Sequence, residues 1–314
     1  MPDKQGLFHG LTDDASVKMN VMVFAAFAVA LQQPAIDPLR LPIGAPGEVV
    51  VAPGQIVSTR DGRSRSVRDV VRMAEPHRFV YLGESHTSAG HHRLQAEIVQ
   101  ALVQSGRDVI VGFEMFTRPN QKALNPFTLG WWSDEEFQEK ADWKGQWGFD
   151  YQLYKPVFDV VRRHRLPMVA LNIPRDWVRA VGRGGLEALT SEQRSELPSH
   201  IDLGNARHRQ VFDGLMGGHP PTGAQGENIY AAQVLWDVAM ADSALRYLAS
   251  YPAGRKTVMV ILAGSGHLMY GQGINWRIRQ RTGEAGLTLV MIDTKAPRPV
   301  SRGLGDLIAA THPD

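Results

Sequence analysis

Short, unbroken apolar runs alternate with longer amphipathic stretches along most of this chain. The runs "RFVYLG" at 78–83, "DVIVGFE" at 108–114, "PMVALN" at 167–172, "KTVMVILAG" at 256–264 and "LTLVMI" at 287–292 have the length of strands buried on both faces. Helical periodicity fills the spaces between them, from Ser66 to Ala74, near His91 to Val103, through "YQLYKPVFDVVRRH" at 151–164, and from Glu227 to Ser250. Strand-helix-strand alternation predicts an α/β fold whose mainly parallel sheet is covered by flanking helices. Two further β-prone runs flank Pro53-Gly54.

Breaks in the pattern divide the chain. From Gly182 to Gly226 polar residues and turn formers replace the strand signal, which predicts a smaller inserted helical domain or lid. The expected division is a discontinuous α/β domain over 51–182 and 228–295, an insertion over 183–227, a Pro/Gly-rich linker over 34–50 and a C-terminal tail over 296–314. Residues 1–33 hold the apolar run Val21 to Leu31, ending in Ala28-Val29-Ala30 and Leu31, which resembles a short export signal. A buried N-terminal helix is the competing reading. The run is shorter than the roughly 20 residues of a membrane span, so no integral membrane domain is expected. Export to the periplasm or beyond is the expectation, and a cytoplasmic location the alternative.

Composition narrows the chemistry. Cysteine is absent from the 314 residues, which excludes disulfides, thiol nucleophiles, thiolate metal sites and thioether-linked haem. A formal charge of +2 gives no electrostatic case for nucleic acid. Noncovalent haem and His/carboxylate metal sites survive.

In an open α/β sheet, ligands bind beyond the carboxyl ends of the strands. That rule brings Glu84 and His86, Glu114, Asn172, and Ser265 with His267 toward one pocket. Glu84 and His86 are two residues apart, so an extended backbone points them the same way, beside the permissive Gly83. They could ligate a divalent metal or act as an acid/base pair. His91 and His92 sit about 100 degrees apart on a helix, so both are not expected to face one ligand. Arg118 could take an anion or pair locally with Glu114, with Gln121 on the same helical face. "AGSGHLMYGQG" at 263–273 is neither a phosphate loop nor a nucleophile elbow, and its glycines would let the chain pass tightly around His267. The tryptophan-rich stretch 131–154 could line a flat apolar ligand with Tyr151 or Tyr154, or merely anchor an irregular connection to the sheet.

Six ordered blocks, "GESHTSAGHHRLQ", "FEMFTRPNQKAL", "WGFDYQLYKPVFD", "ALNIPRDWVRAVGRGG", "QVLWDVAMADS" and "GSGHLMYGQGINWRIRQR", resemble the signatures of the ChaN-like haem-binding uptake proteins of the Tiki superfamily. The likeness spans roughly 52–295. It implies a bacterial, often exported protein of haem or iron uptake, with haem held between the subunits of a homodimer and a tyrosine on the iron. Tyr151, Tyr154 and Tyr270 are the candidates for that ligand, and His86, Arg118, Gln121, Asn172 and His267 complete the expected haem-binding set. The wider superfamily uses two Gly-x-x-His motifs and an intervening glutamate, and includes metal-dependent proteases and esterase-like enzymes. Gly83 with His86, Glu114, and Gly264 with His267 match that pattern. It implies the alternative of a metal-dependent hydrolase, with Glu84, His86, Glu114 and His267 holding a divalent ion and Glu84 or Glu114 as the catalytic base. A noncatalytic interaction protein is the third reading. The chain departs from the family pattern at Thr87 and Asn125, where Asp is common, and at Trp236, where Arg is common.

Overall fold

The computed structural model describes residues 36–313, so the expected export signal lies outside the described residues. Strands β1 (Glu48–Val51), β2 (Ile56–Ser58) and β3 (Ser64–Arg65) precede α1 (Val67–Ala74). Strand β4 (Phe79–Glu84) leads through α2 (Ala89–Gln104) to β5 (Asp108–Thr117). Helices α3 (Gln121–Thr128), α4 (Asp134–Lys140), α5 (Trp143–Gln146) and α6 (Tyr151–His164) carry the chain to β6 (Met168–Asn172). After α7 (Arg175–Gly184), α8 (Ser191–Ser195), α9 (Ala206–Leu215) and α10 (Gly223–Ser250) comes β7 (Thr257–Gly264). Helix α11 (Ile274–Thr282) and strands β8 (Leu287–Asp293), β9 (Arg298–Ser301) and β10 (Leu307–Thr311) follow.

The main sheet has the order β3-β2-β10-β8-β4-β7-β5-β6, and every neighbouring pair from β10 to β6 is parallel. The chain lays down β4, then β5 and β6, and returns to insert β7 between β4 and β5. Period-two alternation divides these strands between two cores. Val80, Leu82, Val258, Val260 and Leu262 face one core with Phe113, Phe116 and Phe158. Phe79, Tyr81, Met259, Ile261 and Ala263 face the other, which α10 and α11 complete through Met240, Ala244, Ile274 and Ile278. With both faces covered, the strands need no polar alternation, which is why they read as unbroken apolar runs.

Side-chain caps set the helix starts that border the site. Ser66 and Asp69 form a reciprocal capping box at α1, and Ser88 caps α2 by accepting from the His91 amide. Asp150 caps α6 in the same manner. The stretch 131–154 is less irregular than its sequence reads: α4 and α5 lie within it, and the Trp143 indole donates to the Phe149 carbonyl at 2.7 Å.

Three expectations need correction. The segment after residue 295 is not a tail: β10 lies between β8 and β2, while β9 pairs antiparallel with β1. Its Leu307-Ile308-Ala309-Ala310 run is buried, but it is too short and alanine-rich to announce a strand. Within the expected linker, Leu41 and Ile43 join a third apolar cluster, fixed by Tyr270, whose hydroxyl accepts from the Leu41 amide (2.8 Å) and donates to the Pro38 carbonyl (2.9 Å). Finally, the Gln121 amide is committed to the backbone of β6. It donates to the Met168 carbonyl and accepts from the Ala170 amide, both at 2.8 Å, and so supplies the partner that edge strand β6 lacks.

Replacing Gln121 by Leu leaves a buried carbonyl and amide unpaired, and the expected outcome is a loss of about 1–3 kcal/mol in stability. A fall in the urea unfolding midpoint measures it; an unchanged midpoint contradicts the edge-partner role.

Candidate functional site

Parallel register sets the site. Glu84, the last residue of β4, is the direct partner of Gly264, the last of β7. A Cβ on Gly264 would come within 2.9 Å of His86 Cε1, and one on Gly83 within 3.0 Å of Ser265 Oγ. The two glycines therefore give the first histidine and the second turn room to lie against the opposite strand.

Glu84 is buried at the end of β4 and faces two imidazoles. His86 Nδ1 lies 2.6 Å from Glu84 Oε1, and His92 Nε2 lies 3.3 Å from Oε2. Burial alone would raise the Glu84 carboxyl, but the hydrogen bonds and charge of His86 and His92 outweigh it and hold the group below the ordinary carboxylate value. An ionised Glu84 can only accept, so Nδ1 of His86 carries the proton. Burial opposes the charged form of His86 as well, yet Glu84 and Glu114 raise its pKa against the opposing charge of His267. The His86 side chain is 31% exposed and packs against the rings of Trp147 and Phe149, with centroids 4.6 and 5.3 Å away. No hydrogen bond to His86 Nε2 is present among the described residues.

A second cluster lies around His267. Its Nδ1 is 2.6 Å from Asp237 Oδ1, and its Nε2 is 3.3 Å from Glu114 Oε1. Glu114 Oε2 accepts from the Gly264 amide at 2.6 Å. Burial would favour neutral imidazole, but the two carboxylates prevail and push the His267 pKa up to about 10. In return, the charges of His267 and Arg277 overcome the burial penalty of Asp237 and hold it far below the ordinary value. Asp237 Oδ2 also meets His208 Nε2 at 2.8 Å, and His208 Nδ1 lies 3.1 Å from the Tyr230 hydroxyl. His208 comes from α9, so the segment between α7 and α10 grips the same carboxylate that holds His267.

The other expected residues fall into two groups. Asn172 stays beside the site, with its side chain donating to the Glu114 carbonyl and accepting from the Ile173 amide. Tyr154 is buried behind it, donates to the His86 carbonyl at 3.2 Å and packs on His92, with centroids 3.9 Å apart. His91 is also buried, but accepts from the Ser85 amide and faces Asp293, so the adjacent histidines serve different neighbours. Arg118 does not pair with Glu114. Its three nitrogens bond Ser243, Asp242 and the carbonyls of Glu196 and Ala239, which joins β5 to α10. Tyr151 lies in the aromatic core against Phe137, Trp143 and Phe158, and Tyr270 is committed to Pro38 and Leu41. Neither takes part in the site.

The expected metal set is not assembled. Among the described residues, no three His, Asp or Glu side chains are disposed to hold a metal ion. The carboxylates of Glu84 and Glu114 are each engaged by histidines, and His267 is bound at both nitrogens. Sequence reasoning left His92 as an alternative to His91 and missed His208, Asp237 and Arg277 as site partners. The signal for Asp237 was its lone carboxylate within the apolar "VLWDVAMA" of a long helix, which demands a buried cation. His208 carried no such signal, because it stands among the charged and polar residues Arg207, Arg209 and Gln210.

Comparison with solved structures finds the fold again. A structure described as cofacial haem binding to ChaN of Campylobacter jejuni superposes with a TM-score of 0.62 at 18% identity, covering 81% of this chain and 95% of that one. The type III effector HopBA1 gives 0.45 at 14% identity over 84% and 97% of the two chains. A mutant erythromycin esterase, EreC, in its open conformation gives 0.46 at 13% identity over 76% and 77%. No curated protein matches the chain. The model of a family described as haem-binding uptake, Tiki superfamily, ChaN, matches residues 70–278. With its Gly-x-x-His turns, buried glutamates and parallel sheet, the chain belongs to that haem-binding uptake family.

Proposed function

We propose that the protein binds haem noncovalently and serves bacterial haem or iron handling, with His86 as the iron ligand. The observation that carries this reading is the His86 imidazole, about one-third exposed beside Trp147 and Phe149, with Nδ1 fixed on the buried Glu84. A carboxylate on the far ring nitrogen orients an imidazole and raises its basicity toward a metal. Haem supplies an iron centre that accepts such a nitrogen and a flat apolar face for the aromatic rings.

The tyrosines fit that role less well. A tyrosinate ligand needs a hydroxyl that gives up its proton, but burial raises Tyr151 and Tyr154, and the charge of Glu84 raises Tyr154 further. Tyr270 is pushed up to about 12, chiefly by burial, and points to the backbone of Pro38 and Leu41. His267 acts as a fixed cation that neutralises Glu114 and Asp237, rather than as a free acid or base. The hydrolase alternative therefore lacks both an assembled metal set and a free base in the second cluster.

The family and the apolar run Val21 to Leu31 support export. Among the described residues, no helix is long and apolar enough to cross a membrane. A homodimer that shares haem belongs to the same proposal, and sedimentation with and without hemin reads it directly.

Titration with hemin is expected to give a saturable Soret band. His86→Ala should remove its nitrogen-ligand signature, Glu84→Gln should weaken affinity about 10–100-fold, and Tyr270→Phe should leave the spectrum unchanged. An unaltered spectrum in His86→Ala moves the ligand elsewhere, and the absence of saturable binding sinks the haem reading.

Stability should also follow the buried charges. His267 is raised, so its contribution is complete below its ordinary pKa near 6.5 and disappears as pH rises through about 10. Glu84, Glu114 and Asp237 are depressed, so theirs is complete above roughly pH 5 and disappears as pH falls through their lowered values. Urea midpoints across pH should therefore show a plateau in the weakly acidic range. Asp237→Asn should lower that plateau by about 3 kcal/mol or more and bring the alkaline loss to lower pH; a pH-independent midpoint contradicts the arrangement.

A further inference from the structure

One surface helix presents cations that nothing answers. Arg175, Arg179 and Arg183 recur at four-residue intervals along α7 and are all exposed, so they share one outer face. The opposite face is fixed: Val178 and Val181 are buried in a cluster with Leu235 and Ala239 of α10. At the end of the helix, the Gln225 and Asn228 side-chain amides donate to the Gly182 and Arg183 carbonyls, both at 3.0 Å. The backbone beneath the arginines is therefore held in place before any partner arrives. None of the three guanidiniums has a hydrogen bond or ion pair among the described residues. Cations on other helices do: Lys155 pairs with Asp159, Arg209 with Glu227 and Arg246 with Asp242. Asp176 stands three residues before Arg179 without bridging to it, and Glu187 pairs with Arg194 instead.

The pattern selects the partner. Three guanidiniums at this spacing span about 12 Å of helix, and each offers a fork that takes the two oxygens of a carboxylate side by side. A facing helix with Glu or Asp at four-residue intervals repeats that spacing. A bilayer or a nucleic acid is attracted instead by the total charge within a Debye length of about 8 Å. Here that total is small, because over residues 175–196 four arginines are balanced by four acidic residues, Asp176 among them. We propose that the α7 stripe is a docking face for an acidic helix of a partner protein, read carboxylate by carboxylate. Exposed ion pairs are individually weak and are screened by salt, so the complex is a transient one. The stripe begins three residues beyond Asn172, whose side chain donates to the Glu114 carbonyl, so such a partner borders the pocket while using neither His86 nor its aromatic neighbours. The docking face does not depend on haem.

The probe is a fluorescent, alanine-rich peptide of roughly 20 residues, long enough to form a helix alone, with three glutamates at four-residue spacing. Anisotropy with the full chain should show saturable binding that weakens from low to physiological salt. A peptide of the same composition whose glutamates lie on different faces should bind less tightly. Each of Arg175→Gln, Arg179→Gln and Arg183→Gln should cost up to about fivefold in affinity, and the triple variant at least about tenfold. These side chains are exposed, so the urea midpoint of the triple variant should stay where it was. Binding should persist in His86→Ala, which separates this face from the haem reading. No saturable binding, equal binding of the two peptides, or full affinity in the triple variant overturns the proposal, as does tighter binding of phosphatidylglycerol vesicles or of a single-stranded oligonucleotide.

Discussion

An imidazolium clamped between two buried carboxylates joins the parts of this molecule that matter for its site. Glu114 arrives on β5, His267 in the turn after β7, and Asp237 in the middle of α10. None of the three charges would be tolerable alone at that depth. Together they tie the sheet to its covering helix, and through His208 they also secure α9. The first cluster, Glu84 with His86 and His92, repeats the principle one strand away, but there one imidazole remains partly open to solvent. That difference separates a fastening from a candidate ligand-binding group.

Much of the fold could be read from the pattern of residues, because strands covered on both faces leave unbroken apolar runs and their intervening helices carry clear caps. Phe79–Glu84, Met168–Asn172 and Thr257–Gly264 all lie where those runs place them. The edges were harder. Leu307–Thr311 is short and alanine-rich, and its stability comes from β8 and β2 on either side rather than from local preference. The packed residues Leu41 and Ile43 likewise depend on Tyr270, far away in the chain.

The site was legible as a set of strand ends and less so as a set of partnerships. The pairing of Glu84 with His86 follows from their spacing, and the proximity of Glu114 to His267 follows from adjacent parallel strands. Spacing cannot reveal that Arg118 reaches Asp242 or that Gln121 completes the β6 edge, since both depend on where a distant element packs. The tyrosines illustrate the same limit: an aromatic hydroxyl looks available in sequence until burial and backbone contacts account for it. His92 was set against His91 as an alternative, whereas both are buried and each serves a different carboxylate.

The position of β7 bears on how the molecule can be assembled. It lies between β4 and β5, yet it is the last of the three to leave the ribosome. β4 and β5 reach their final places only with a strand-wide slot between them for β7. Premature pairing of β4 with β5 would satisfy their exposed backbone edges and shut out the strand that brings His267. Until that strand arrives, Glu114 has neither the Gly264 amide nor the imidazolium that it meets in the finished protein. The charge that completes the site therefore arrives with the strand that fills the slot between β4 and β5, so a sheet without β7 is also an unfinished site.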